Sequence, residues 1–362
     1  MKITFEQLYN RQIKLSEIGE KGQNKLAKAK VIVVGCGGLG SVAAVYLAAS
    51  GIGFIHLVDY DIVDASNLPR QVFYRTEDIG RSKAEVLKDH ILAISPFVKV
   101  SFGKNAIVKS NVLTEIQPYD FILDCTDSLP SKYLLNDACV IQNKPMIYGS
   151  LYKYDGYVAS FNVTTHNDTQ SSNLRDAFPE ISKEAIPNCS EVGTLNIIVG
   201  VIGMLQANEV LKIVMNVGNP LLDQLLIYNS LDNSQYKMIL KRSISKKQVE
   251  QIFEKESYSD VACVLQDERL LISSKELKKE LSKHKNLKII SVVEDSDICL
   301  PFKSDDNIPF SKFNIEKVQL SPNNEYVIVC NRGVTSYTVT LLLKEKYPNV
   351  KILSLKNGIT NY

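Results

Sequence analysis

The chain has 362 residues, 45% hydrophobic and 23% charged, ordinary globular proportions that exclude a disordered or fibrous class and suggest about two domains. A formal net charge of +2 lies near balance, which argues against a nucleic-acid binder, with its concentrated Lys and Arg, and favours a protein or small-molecule partner. Seven cysteines without a C-x-x-C pair, beside four histidines, fit reduced thiols in the cytoplasm, so neither a disulfide framework nor a zinc site is expected.

Met1 to Glu6 has neither the apolar core nor the cleavage site of a signal peptide, so export is not expected. From Lys30 onward short β-branched runs alternate with longer amphipathic segments. Strands are predicted at Val31 to Val34, Phe54 to Val58, Val98 to Phe102, Phe121 to Leu123 and Met146 to Tyr148. Helices are predicted between them at Ser41 to Ala49, Lys83 to Ala93, Ser110 to Ile116 and Pro130 to Ile141. Such a βαβ series with right-handed crossovers predicts a Rossmann-like, mostly parallel sheet with helices on both faces. Tyr157 to Val163 and Gln235 to Leu240 read as added, antiparallel strands. The polar stretch Thr164 to Asn173 reads as a mobile surface loop able to cover a site. Leu195 to Val217 is apolar but interrupted by Asn196, Gln206, Asn208, Glu209 and Lys212, which predicts a buried helix and not a membrane span.

Charge rises and apolar runs stop at Lys241 to Ser259, so the first domain is placed at residues 1–240, a linker at 241–261 and a second domain at 262–362. The second domain is a smaller α/β unit. It has predicted helices at Ser274 to Ser282 and Thr335 to Tyr347, and strands at Leu287 to Val292, Tyr326 to Val329 and Val350 to Leu355.

Between the first strand and its helix stands Gly35-Cys36-Gly37-Gly38-Leu39-Gly40. Glycines at Gly35, Gly37 and Gly40 let backbone approach phosphate while the helix N-terminus faces the negative charge. Asp59, roughly 20 residues on, ends the next strand where a carboxylate meets ribose hydroxyls. That much suits NAD and ATP equally. The cluster Asp61, Asn67, Arg70, Gln71, Arg81, Lys83 and Asp127 separates them. Cations neutralise a triphosphate, and a carboxylate after a strand end holds Mg²⁺, needs that a nicotinamide site lacks. Taken one at a time, each of these charges would read as a solvated surface residue.

Val34-Gly35-Cys36-Gly37-Gly38-Leu39-Gly40-Ser41, Asp59-x-Asp61 with Asn67-x-x-Arg70-Gln71, Gly80-Arg81-x-Lys83 and Asp124-Cys125-Thr126-Asp127 together resemble the ThiF/MoeB/HesA family, over about residues 5 to 240. The family has a ubiquitin-activating-like fold and adenylates sulfur carriers. The resemblance implies that Gly38 and its neighbours cradle the nucleotide and that Asp59 binds ribose. Asn67, Arg70, Gln71 and Lys83 would contact phosphates, and Asp127 would coordinate Mg²⁺. It also gives a role to Arg11, otherwise an exposed helix residue, which would reach the ATP phosphates of the other subunit of a homodimer. The implied partner is a ubiquitin-like carrier ending in Gly-Gly, ThiS-like for thiamine or MoaD-like for molybdopterin synthesis. Neither nucleic acid nor a membrane is an expected partner. Many relatives bind zinc through two C-x-x-C pairs. Ser171 to Glu180 lacks the expected pair, so stability there is expected from packing.

Cys189, in Pro187-Asn188-Cys189-Ser190-Glu191-Val192-Gly193, matches a position where many relatives have a cysteine for thioester or sulfur-transfer chemistry; a buried, inert thiol is the competing reading. Cys36 and Cys125 are expected to be packing residues. In the second domain, Cys330-x-x-Gly333-x-x-Ser336 links an apolar strand to a helix and resembles the rhodanese active-site loop, over about residues 262 to 362. Backbone N–H groups of such a loop stabilise a thiolate or persulfide. Ser291-Val292-Val293 stands where rhodaneses carry Asp-Val-Arg, and Thr335 replaces the arginine before the serine, so cyanide-type sulfur transfer is not implied. The joined expectation is adenylation of the carrier, then delivery of sulfur from a Cys330 persulfide charged by a donor such as a cysteine desulfurase. The competing readings are an NAD-dependent oxidoreductase and an ATP-binding regulatory module without turnover.

Overall fold

A capping box opens the first helix of the computed structural model, α1 (Phe5–Ile13): the Gln7 N–H donates to Thr4 Oγ1 at 3.2 Å and the Thr4 N–H to Gln7 Oε1 at 3.0 Å. The structure describes residues 3–165, 167–179, 193–258, 267–282, 286–293, 300–331 and 333–362. Those up to Tyr258 form one compact unit, and those from Asp267 onward form a second.

After α2 (Gly19–Leu26), the first unit runs β1 (Lys30–Val34), α3 (Gly38–Ala49), β2 (Phe54–Val58), α4 (Lys83–Ile94), β3 (Lys99–Gly103), α5 (Val112–Ile116), β4 (Phe121–Asp124) and α6 (Leu129–Gln142). It continues through β5 (Met146–Tyr152), β6 (Asp155–Phe161), α7 (Leu174–Ala177), α8 (Asn196–Met215), β7 (Gln224–Asn229), β8 (Gln235–Ile239) and α9 (Lys246–Lys255). The eight strands form one sheet in the order β3-β2-β1-β4-β5-β6-β7-β8. The first five are mutually parallel, and β6, β7 and β8 join antiparallel. Val31, Ile32 and Val33 of the central β1 are wholly buried, as a strand covered on both faces requires, and full burial is worth roughly 2 kcal/mol per side chain. On the edge strand β8, Gln235, Tyr236 and Lys237 are exposed. The chain leaves β1 in one direction toward β2 and β3 and in the other toward β4, so strand order reverses between β1 and β4, where open α/β sheets form their ligand crevice.

Helix α8 is the one described helix long and apolar enough to cross a membrane. It packs on α3, β5 and β6, burying Ile198, Val199, Ile202 and Val210. Its interior polar groups are paired: Gln206 Nε2 donates to the carbonyls of Asp124 and Ile147, and Glu209 accepts from Ser160 Oγ. Ile197 on its other face is exposed, so the expected burial holds for one face.

Three expectations change. Strand β7 was not predicted, because Leu225 to Ile227 is too short an apolar run to distinguish strand from helix by periodicity. The stretch 164–173 is only in part a surface loop. Ser171, Ser172 and Asn173 are buried, with the Ser172 N–H on Asp223 and the Ser171 N–H on Val163 O, so the backbone of this stretch is bonded into the core although Ser172 Oγ has no partner among the described residues. The linker expected at 241–261 contains α9, capped by Ser245 with Gln248 and packed on α6 through a face that buries Val249. Its charge marks the solvent side of a helix of the first unit, not a connector.

In the stretch where stability was expected from packing, a buried ion pair contributes as well. Arg175 donates from Nε and NH2 to Asp137 at 2.8 and 2.6 Å, and Tyr258 Oη donates to the same carboxylate. Arg175 and Asp137 are 4% and 0% exposed, and removing one partner of such a pair typically costs about 3–5 kcal/mol.

The second unit contains β9 (Leu271–Ile272), α10 (Ser274–Leu281), β10 (Leu287–Ser291), β11 (Asp306–Asn307), β12 (Glu325–Val329), α11 (Val334–Lys346) and β13 (Ile352–Leu355). Its strands pair in parallel in the order β11-β10-β12-β13-β9. Alternation along β12 sends Tyr326 and Ile328 into one core with Val339 and Leu343, and Val327 and Val329 into another with Leu277 and Leu355. The two-residue strands β9 and β11 were too short to be read from sequence.

Candidate active site

Strand β1 ends in a turn that only glycine fits. Gly35 has φ +92°, and a Cβ there would lie 2.7 Å from Cys125 O; a Cβ on Gly40 would lie 1.8 Å from Gly35 O. The first turn of α3 therefore sits directly on the loop. Gly37 caps α3, which leaves the free N–H groups and positive dipole end of a twelve-residue helix at the β1–β4 reversal.

The segment after β2 closes over this turn. Asp59 accepts from the Cys36 N–H at 2.7 Å and the Asp61 N–H at 2.8 Å; burial raises its pKa, with Lys83 opposing. Asp61 pairs with Lys83 Nζ at 2.5 Å, Lys83 being only 5% exposed. Tyr74 Oη donates to Cys36 O at 2.6 Å, and Gly38 approaches the Arg70 carbonyl. Arg70 is half-buried, with NH1 on Ser66 O. Asn67 and Gln71 are buried, and among the described residues their oxygens Oδ1 and Oε1 have no hydrogen-bond partner, while Gln71 Nε2 stands over Gly37. Buried amides with unused hydrogen-bonding capacity, beside a helix N-terminus, fit a polar ligand.

Strand β4 adds the other wall. Asp124 is fully buried and accepts from Thr126 N–H and Oγ1, at 3.1 and 2.7 Å. Lys132 Nζ, on α6, donates to Asp124 Oδ2 at 3.1 Å and Gly149 O at 2.7 Å, above the Tyr148 ring. Burial works against its ammonium but Asp124 outweighs it, so its pKa is raised. Asp127 is exposed and, among the described residues, has no hydrogen-bond or ion-pair partner, which leaves its carboxylate open to a cation.

The fold thus brings together Gly35, Gly37, Gly38, Gly40, Asp59, Asp61, Asn67, Arg70, Gln71 and Lys83, with Asp127 following the adjacent strand. Arg11 is not among them. It is exposed on α1, which docks through Gln12 Nε2 on Ser50 O at the far end of α3, about 18 Å from the glycine turn along a twelve-residue helix. Cys189 lies outside the described residues. Sequence reasoning missed Lys132, Gln206 and Tyr74. The available signal for Lys132 was a lone cation in the buried stripe Lys132, Leu135, Asn136 and Cys139 of α6.

Cys36 and Cys125 are buried packing residues whose thiols burial pushes up, as is Cys139. Among the described residues no group of three His, Cys, Asp or Glu is placed to hold a metal. In the second unit Cys330 follows β12. Its Sγ accepts from the Gly333 N–H at 3.1 Å and the Ser336 N–H at 3.2 Å, and contacts Ser336 Oγ, which is bonded to Ser354 Oγ. Two backbone N–H groups at the start of a thirteen-residue helix are thus directed at this sulfur.

A helix N-terminus and a buried lysine, set at the strand-order reversal of a doubly wound sheet, define a protein that binds nucleotide phosphates. The chain belongs to the ThiF family, whose model matches residues 9–250. It is 39% identical over 246 residues to a sulfur carrier protein adenylyltransferase of Thermus thermophilus, covering 67% of this chain and 91% of that one. It is 32% identical over 345 residues to the probable adenylyltransferase/sulfurtransferase MoeZ of Mycobacterium tuberculosis, covering 93% and 88%, so that likeness extends into the second unit. The solved structure of E. coli MccB with ATP superposes with a TM-score of 0.55 at 25% identity, covering 62% of this chain and 68% of that one. Family and relatives make this an adenylyltransferase, a class that uses ATP, and set aside the oxidoreductase alternative.

Proposed function

We propose that the chain uses ATP to adenylate the C-terminal glycine carboxylate of a ubiquitin-like sulfur carrier, then converts it to a thiocarboxylate with sulfur held on Cys330. The observation that supports this most is the glycine-turned N-terminus of α3 beside buried Lys83 and the Asn67 and Gln71 side chains, whose amide oxygens have no partner among the described residues. In this reading Asp59 receives the ribose hydroxyls, and Lys83 exchanges Asp61 for phosphate. A carboxylate oxygen of the carrier attacks the α-phosphorus and pyrophosphate leaves. The carboxylate is already ionised at neutral pH, so the site must neutralise charge more than remove a proton. Arg70 and Lys83 do this, with Arg11 supplied by a second copy. Mg²⁺, held by Asp127, would add positive charge beside the phosphates.

The terminal sulfur of a Cys330 persulfide then attacks the acyl adenylate, expelling AMP and forming an acyl disulfide. A second thiol, for which Cys189 is proposed, attacks Cys330 Sγ, releasing the thiocarboxylate and leaving a disulfide. An external dithiol reduces that disulfide, and a cysteine-desulfurase type of donor then transfers sulfane sulfur to the freed Cys330 thiol. The carrier serves molybdopterin or thiamine synthesis, in the cytoplasm.

Purified protein, given ATP, Mg²⁺ and a carrier ending in Gly-Gly, is expected to exchange labelled pyrophosphate into ATP. No exchange with either a MoaD-like or a ThiS-like carrier would overturn the reading. Sedimentation is expected to show a homodimer, because Arg11 lies far from the glycine turn of its own chain; a fully active monomer contradicts its assigned role.

A further inference from the structure

Asp127 is poised by its neighbours. It has no partner of its own among the described residues, yet Thr126 before it is bonded through N–H and Oγ1 to Asp124, and Ser128 after it caps α6 by accepting from the Ser131 N–H. The position of Asp127 therefore depends on where the Asp124 carboxylate is held. Two groups hold it, Lys132 Nζ on Oδ2 and Thr126 on Oδ1, while Gln206 Nε2 fixes the backbone carbonyl of the same residue. Lys132 also bonds Gly149 O, so one ammonium ties the ends of β4 and β5 together. Lys132 is 4% exposed with both bonds directed inward, so it is engaged in the interior and not offered to a ligand.

We infer that Lys132 is a positioning residue for nucleotide activation, which, by holding the Asp124 carboxylate, sets the turn between β4 and α6 that presents Asp127. The inference rests on the adenylation reading, in which Asp127 holds Mg²⁺. Residues that orient a metal ligand without touching the metal typically change metal affinity 10- to 100-fold when replaced, about what is expected here.

The test uses the full chain and calorimetric titration with ATP at graded Mg²⁺ and in EDTA. Lys132→Met is expected to raise the Mg²⁺ concentration needed for tight ATP binding about 10- to 100-fold, and Lys132→Arg to stay near the native value. ATP affinity in EDTA should change less than about twofold, since the glycine turn is untouched. Because Lys132→Met leaves a buried carboxylate unpaired and can fail to fold, Thr126→Val is measured beside it. That variant keeps the ion pair, removes one bond to Asp124, and should shift the Mg²⁺ requirement in the same direction by about 3- to 10-fold. Native Mg²⁺ titrations in folded variants overturn the inference. So does an equal loss of ATP affinity with and without Mg²⁺, which marks a general loosening. Native protein that binds ATP with Mg²⁺ dependence but exchanges no pyrophosphate refutes the adenylation reading and leaves the assignment of Lys132 standing.

Discussion

Cys330→Ser is expected to lower thiocarboxylate formation about 100-fold or more, while ATP/pyrophosphate exchange with the carrier stays at the native rate. Serine can accept the same two N–H bonds, from Gly333 and Ser336, that the sulfur accepts at 3.1 and 3.2 Å, so the loop should hold its shape. What is lost is chemical: a hydroxyl neither ionises at neutral pH nor carries a transferable sulfur. In the proposed reading the exchange step uses the glycine turn, Asp59 and Lys83, all in the first unit, and Cys330 belongs to the second. Mass spectrometry of the carrier reads the thiocarboxylate directly. An unchanged yield would remove Cys330 from the sequence of steps and leave the second unit a structural module.

Lys83→Ala is expected to reduce pyrophosphate exchange about 100- to 1,000-fold with the fold retained. Lys83 is 5% exposed and its ammonium meets Asp61 beside the glycine turn, so a triphosphate there gains a desolvated positive charge. Its direct partner Asp61 has a side chain 52% exposed, where water can take the place of the ammonium, and buried Asp59, though it loses an opposing charge, keeps its two N–H bonds from Cys36 and Asp61. Circular dichroism and thermal melting should therefore match the native protein while exchange collapses. Unaltered exchange in this variant would sink the proposed catalytic site.

The two outcomes divide the reaction between the units. Loss of exchange without loss of persulfide on Cys330 identifies the activating step, and the reverse identifies sulfur delivery. A variant of either kind supplies the intermediate that the other step consumes, so mixing the two proteins also tests whether both units must lie on one chain.

The sequence by itself determined the main architecture and named most of the residues that the fold gathers in the candidate nucleotide site, because both depend on local chemistry. The run Val31 to Val34 can only be a buried strand, and Gly35 and Gly40 are needed where φ is positive or backbones touch. Asp59, Lys83 and Asp127 stand at strand or helix ends, positions that a βαβ pattern reveals without coordinates. What lay beyond the sequence were the contacts between distant elements. Lys132 is eight residues from the Asp124 carboxylate but meets it only because α6 folds back over the end of β4, and Gln206 reaches the backbone carbonyl of Asp124 from more than eighty residues away. The charged face of α9 resembled a linker until the packing of Val249 was known. Composition reports how polar a segment is, but whether a polar group faces solvent or a buried partner is decided by which elements the tertiary fold places against it. For the same reason Arg11 could be named from its motif, yet only the docking of α1 at the far end of α3 sets it away from the glycine turn of its own chain, which is why a second copy is proposed to bring it to the phosphates.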